Sequence, residues 1–297
     1  MTQNASILLP NRNRRRWLID SGCLVTAGLI GLSRKSQAAV GTWRIGMTPA
    51  FLHDQHTLLE EWREFMAESL QRRVVIVQRD SYRETMDLLR LEKLEFAWIC
   101  DYPYLHLKQE VRLLAVPLYQ GKPYYRSYLI VRKDNTAVRS IADLSGGVFA
   151  YADPYSNTGY LSPRYEIRQL GRDPASFFRK TFFTWSHRKV VAAVASGLAQ
   201  GGAVDSYIWE TLAHVEPTIA ARTRVVWRSP EYGFPPFVSH RSVSASDFQM
   251  MQRHLLETSK SETGRRLLGR LHLDGFTTGT PALYDGVARM MRVFGEA

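Results

Sequence analysis

Apolar positions along this chain fall into short blocks with two alternating periods. Residues 43–47 form a short apolar run of strand type, and 74–77 is a β-branched run of the kind that fills a buried strand. Between them, Leu59, Trp62, Phe65, Met66 and Leu70 recur three or four residues apart, which predicts one face of a helix over 56–70. A second helix is predicted over 81–93, with Ser81 as N-cap and Glu84 three residues on in capping-box spacing. Strand patterns follow at 96–100, 113–118 and 125–132. A second series then repeats the alternation: a helical turn at 140–144, strands at 148–151, 182–184, 203–205 and 225–227, and helices at 160–170, 187–199 and 207–214. Residues 235–239 return the chain to the first series, and helices at 245–259, 261–271 and 281–294 complete it. Strands alternating with helices predict βαβ units, mainly parallel sheets and an α/β class. The expected division is a first lobe of 39–133 with 235–297 and a second lobe of 134–234. Two crossings between such lobes leave a cleft where ligand sites form.

The stretch before position 39 follows another plan. Residues 1–11 carry no charged side chain, and Arg12, Arg14, Arg15 and Arg16 then arrive together. A Gly-rich apolar run from Trp17 to Leu32 follows, then Arg34, Lys35 and the small-residue stretch Ser36-Gln37-Ala38. That is the layout of an export signal, and Arg14-Arg15 before Trp17-Leu18-Ile19 is of twin-arginine type. The run is shorter than the roughly 20 apolar residues a bilayer core requires, so no stable membrane span is expected after cleavage. The expected location is the periplasm.

Charge changes little once this segment is set apart. The chain has 297 residues and a formal net charge of +11, but 1–38 holds six basic residues and one acid, leaving +6. No Lys/Arg run remains that would make a nucleic-acid arm. Cys23 and Cys100 are the only cysteines, too few for a disulfide framework or a thiolate zinc site, and no metal or cofactor is expected. An enzyme alternative would be an exported hydrolase with His187 or Cys100 as nucleophile or base, but the sequence holds no GxSxG elbow, HExxH pair or Cys/His/Asn signature.

The loop Asp153-Pro154-Tyr155-Ser156-Asn157-Thr158-Gly159 carries the most chemistry. It joins a strand to a helix whose first N–H groups and partial positive charge suit an oxyanion. Ser156 and Thr158 add hydroxyls, and Gly159 permits close backbone approach. Asp153-Pro154-x-Ser156-x-Thr158-Gly159-x-Leu161-x-Pro163 resembles the DPxSxSGxLxP loop of phosphonate- and phosphite-type periplasmic binding proteins. Further pieces occur in the same order. Trp185-Ser186-His187, Ala193-Val194-Ala195-Ser196-Gly197 and Ala203-Val204-Asp205-Ser206-Tyr207 with Glu210 are similar to that family's SH, AVxxG and AVDSxxxE segments. Phe96 to Cys100 with Pro103 and Tyr104 resembles its first-lobe cleft strand and turn. Asn157 and Asp101 depart from the pattern.

The resemblance implies a type II periplasmic-binding-protein fold, a monomer with a hinge, closing on a small oxyanion for an ABC permease. It places Ser156, Asn157, Thr158 and Gly159 around the anion, with His187 donating from the second lobe. Tyr102, Tyr104 and Phe51 would line the first-lobe wall, and Asp205 and Tyr207 the far side. Cys100 stands at a strand's C-terminal end and divides two readings. As a packing residue it fits a phosphorus oxyanion. As a soft ligand it would fit arsenite, in a branch of the family that signals to a membrane sensor kinase.

Overall fold

The computed structural model describes residues 41–48 and 56–296, so the expected signal at 1–38 and Phe51 lie outside the described residues. The strands are β1 (Thr42–Met47), β2 (Arg73–Gln78), β3 (Phe96–Trp98), β4 (Val111–Leu118), β5 (Tyr124–Tyr125), β6 (Ser127–Arg132) and β7 (Val148–Tyr151). They continue as β8 (Lys180–Phe183), β9 (Gly201–Asp205), β10 (Thr223–Arg228), β11 (Tyr232–Gly233), β12 (Phe237–His240) and β13 (Gly275–Thr277). The α-helices are α1 (His56–Leu70), α2 (Tyr82–Arg90), α3 (Asp101–His106), α4 (Ser162–Gln169), α5 (Pro174–Phe177) and α6 (His187–Ala195). The rest are α7 (Ser206–Val215), α8 (Pro217–Ala220), α9 (Ala245–Glu257), α10 (Glu262–Arg270) and α11 (Asp285–Val293).

Two sheets form two α/β lobes. One has the order β13-β4-β12-β3-β1-β2, the other β10-β6-β9-β7-β8, and β5 pairs with β11 in a two-stranded ribbon where the chain crosses. The expected mainly parallel sheets are corrected to mixed ones. Parallel pairing joins β1 to β2 and β3, and β7 to β8 and β9, while the other pairs within the two sheets are antiparallel. The cause is the crossing itself, because β6 and β12 enter their sheets directly from the ribbon and run against the βαβ strands. Both are buried almost throughout, so their apolar runs look like parallel strands. β6 hydrogen-bonds into the second sheet, so sheet membership changes before Ser127 rather than at the expected 133/134.

The first lobe closes over an aromatic core. Helix α1 buries Leu59, Trp62, Met66 and Leu70 as its periodicity predicts, and Trp62 meets Trp98 edge-on at 5.8 Å. Each such side chain contributes about 1.5–3 kcal/mol by burial. Helix α2 carries the expected capping box, Ser81 accepting from the Glu84 N–H and Glu84 from the Ser81 N–H. Helix α6 stops at Ala195, short of the expected 199, because Gly197 takes a left-handed φ of 80° just beyond the end.

Candidate functional site

The candidate site is built where β7 and β3 end and the helices after them begin. After β7, Asp153 bends the chain: its Oδ1 accepts the Tyr155 N–H at 2.7 Å, and its backbone oxygen accepts the Ser156 N–H at 2.9 Å. The chain then enters a wide first turn over Asn157–Leu161, in which the Leu161 N–H reaches the Ser156 carbonyl at 3.0 Å, before continuing as α4. Such π-type turns recur at functional sites. From the other lobe, β3 ends at Trp98, two residues earlier than expected, and Cys100 becomes the N-cap position of α3. Pro103 lies in that helix's first turn, where its missing N–H costs nothing.

Direct bonds join the two lobes here. The Tyr82 N–H donates to Asp153 Oδ2 at 3.1 Å, and Asn157 Nδ2 donates to Asp101 Oδ2 at 2.8 Å. Asp101, Ser156, Asn157 and Thr158 are fully buried, and Cys100, His187 and Asp205 nearly so. Asp101 Oδ1 accepts from the Tyr102 N–H at 2.8 Å, the Tyr125 hydroxyl at 2.9 Å and the Cys100 thiol at 3.1 Å. Burial pushes the Asp101 carboxyl up to about 6, a rise held in check by the bonds from Cys100, Tyr125 and Asn157.

His187 is a neutral fixture. Its Nδ1 accepts the Asp205 N–H at 3.1 Å, which puts the ring hydrogen on Nε2, 3.3 Å from Ser156 Oγ. Burial lowers its pKa to about 3, so it donates as imidazole, not imidazolium. Ser156 Oγ accepts from His187 and also from the Gly159 N–H at 3.0 Å, which leaves its own O–H available to donate. A histidine near pKa 6.5 when unfolded and about 3 when folded gives stability that is intact above pH 6.5 and lost as acidification proceeds toward 3.

Among the described residues, three buried polar atoms in this region have no hydrogen-bond partner: Thr158 Oγ1, Asn157 Oδ1 and the Tyr82 hydroxyl. Tyr82 packs against Cys100, and burial, with Cys100, Asp153, Asp205 and Asp101 adding to it, pushes its phenol well above the ordinary value. Asp205 Oδ1 caps α7 by accepting the Tyr207 N–H at 2.8 Å, and burial drives its carboxyl well above the usual range. Neither Asp101 nor Asp205 meets a Lys or Arg among the described residues.

Not every expected residue joins this group. Tyr102 turns its hydroxyl to Glu296 and lines an outer cavity of about 480 Å³ with Arg83, His106, Tyr155, Arg164 and Trp185. Tyr104 packs its ring on Tyr284 at 4.8 Å. Tyr207 donates to the Leu271 carbonyl at 2.6 Å and packs on Tyr119 and Phe234. Tyr82 and Tyr125 were not predicted as site residues. Tyr82 follows directly on a capping serine, a position that marks a helix mouth, whereas Tyr125 had no signal separate from the strand around it.

Cys100 is not placed as a soft-metal ligand. Burial raises its thiol well above the ordinary value, with the Asp101 charge adding to the rise, so the sulfur stays protonated and donates to Asp101. No group of three or more His, Cys, Asp or Glu among the described residues is arranged to hold a metal ion. Cys100→Ser is therefore expected to keep ligand affinity within a few-fold by calorimetry; complete loss of binding with an intact circular dichroism spectrum would reinstate the thiolate reading.

Comparison with known proteins agrees with this architecture. Residues 45–284 match the family described as ABC transporter, phosphonate, periplasmic substrate-binding protein. The "Phosphonates-binding periplasmic protein" of Escherichia coli K12 is 24% identical over 227 residues, 73% of this chain and 67% of that protein. The "Probable ABC transporter phosphite binding protein PhnD1" of Prochlorococcus marinus is 29% identical over 115 residues, covering 36% of this chain but only 38% of that protein's length. Among solved structures, a binding-protein component of an ABC phosphonate transporter from Pseudomonas aeruginosa superposes with a TM-score of 0.79 at 20% identity, covering 85% of this chain and 86% of the other. PhnD1 of Prochlorococcus marinus in complex with methylphosphonate gives 0.78 at 18% identity, over 86% and 99%. These are substrate-binding proteins rather than enzymes, which sets the hydrolase alternative aside. By the match over 45–284, the chain belongs to the family of ABC-transporter phosphonate periplasmic substrate-binding proteins.

Proposed function

We propose that this protein captures a small phosphorus oxyanion (a phosphonate, phosphite or phosphate) between its two lobes and delivers it to an ABC permease. One observation carries the reading: Thr158 Oγ1, Asn157 Oδ1 and the Tyr82 hydroxyl are each buried near the lobe junction without a hydrogen-bond partner among the described residues. Buried polar groups are nearly always paired, so the two hydroxyls call for ligand oxygens that accept and the amide oxygen for a ligand hydrogen that donates. The anion is held by neutral donors: the Ser156 and Thr158 hydroxyls, with His187 fixing Ser156 from behind. The phosphonate and phosphite named for the two curated relatives support phosphorus as the central atom. Titration calorimetry with phosphite, methylphosphonate and phosphate tests it. Saturable one-to-one binding of at least one is expected; binding only of uncharged sugars or metal cations would refute it.

Delivery to a permease requires export, and the reading takes 1–38 as a cleaved twin-arginine signal that leaves a monomer in the periplasm. Among the described residues no helix is long and apolar enough to cross a membrane. Replacing both Arg14 and Arg15 by Lys is expected to leave precursor in the cytoplasm, read by fractionation and immunoblot. Normal export of that variant would remove the twin-arginine route.

A further inference from the structure

The unpartnered atoms of the cleft are not chemically equivalent. Thr158 Oγ1 and the Tyr82 hydroxyl donate or accept as required, but an amide oxygen only accepts. Its orientation is set by Asp101. A carboxylate accepts only, so the Asn157 group facing Asp101 Oδ2 at 2.8 Å must be the NH2, and Oδ1 is turned away into a buried place with no donor among the described residues. Asp101 is itself held by the Tyr102 N–H, the Tyr125 hydroxyl and the Cys100 thiol, so the amide has no free alternative. Among the described residues, the other ionisable groups around this pair include Tyr82 from α2, Asp205 at the start of α7, Tyr232 of β11 and Tyr284 ahead of α11. None of them is a cation.

Resting on the oxyanion reading above, we infer that the cleft selects a phosphorus oxyacid that still carries an O–H hydrogen, donated to Asn157 Oδ1, with Asp101 as the positioning residue that enforces the choice. An oxyanion without such a hydrogen satisfies the hydroxyls but sets its own lone pairs against the amide oxygen and leaves that oxygen unpaired. Two buried carboxyl groups without a basic partner among the described residues add to the cost for a ligand carrying a second full negative charge.

The test uses isosteres that differ in that hydrogen. Calorimetry of the mature protein at pH 7 compares methylphosphonate with methanesulfonate and sulfate, which carry no O–H there, and with 2-aminoethanesulfonate, which brings an ammonium instead. Methanesulfonate, sulfate and 2-aminoethanesulfonate are each expected to bind about 5- to 150-fold more weakly than methylphosphonate, the range set by one buried acceptor left unpaired. In Asp101→Asn the Asn157 amide is released to turn its NH2 to the ligand, and the methylphosphonate-to-methanesulfonate ratio is expected to fall toward one. If that variant does not fold, Asn157→Leu deletes the acceptor and should collapse the ratio in the same way. Methanesulfonate within threefold of methylphosphonate in the unaltered protein overturns the inference. Tight binding of 2-aminoethanesulfonate, or an unchanged ratio in a folded variant, overturns it equally. If phosphorus and sulfur oxyanions bind alike, only this inference fails; if none of them binds, the oxyanion reading fails and takes it along.

Discussion

Gly159→Ala is expected to cost both stability and ligand capture. Gly159 is needed for space: a Cβ there would fall on the Ala152 Cβ, 2.9 Å from His187 Cε1 and 3.0 Å from Ser156 Oγ. The Ala152 methyl is fixed to backbone at the end of β7, where the Ala152 N–H bonds the Gly159 carbonyl at 3.2 Å, and cannot rotate away. The His187 ring must therefore swing off Ser156 or the first turn must open, and either move breaks the Ser156 alignment. Overpacking of this kind costs about 1–3 kcal/mol, or about 2–12 °C in melting temperature for a chain of this size. Losing the aligned Ser156 donor to a charged oxygen costs about 1.5–3 kcal/mol more of binding, about 10- to 150-fold in Kd. Calorimetry and thermal denaturation check both; an affinity within threefold and an unshifted midpoint would show that the loop does not hold the anion.

Thr158→Val is expected to move stability and affinity in opposite directions. The Thr158 hydroxyl is buried without a partner, while its backbone carbonyl accepts from Ser127 Oγ at 2.6 Å and keeps the residue in place. Valine preserves the shape and removes the unpaired oxygen, which relieves a penalty of about 1–3 kcal/mol in the unliganded protein. With ligand present the same change removes a hydrogen bond to a charged oxygen, expected to weaken binding about 10- to 150-fold. The melting midpoint should rise without ligand, and the further rise on adding ligand should shrink, because that increment follows the ratio of ligand concentration to Kd. A variant that loses stability while keeping its affinity would mean that the hydroxyl serves the fold.

How far these features could be read in advance depends on how local their causes are. The helix over 56–70, the capping box at Ser81 and Glu84 and the strand-to-helix loop at 153–159 each follow from side chains within a few residues, and each lies where the pattern put it. The direction of β6 and β12 follows from the crossing ribbon, a long-range feature without a local pattern. Asp101 stood out only as an unusual residue, since its partners Tyr125 and Asn157 lie 24 and 56 positions away. Tyr102, Tyr104 and Tyr207 illustrate the converse. A tyrosine's neighbourhood in sequence does not say which way its ring turns, and these three hydroxyls or rings serve Glu296, Tyr284 and Leu271.

The position of the ligand is the most direct test of the whole reading. A crystal structure of the mature protein with methylphosphonate should show the phosphorus between the lobes, with its oxygens within hydrogen-bond distance of Ser156 Oγ and Thr158 Oγ1 and one hydrogen-bearing oxygen beside Asn157 Oδ1. Methylphosphonate seated instead in the outer cavity between Arg83 and Arg164, with Thr158 Oγ1 and Asn157 Oδ1 still unpartnered, would contradict it.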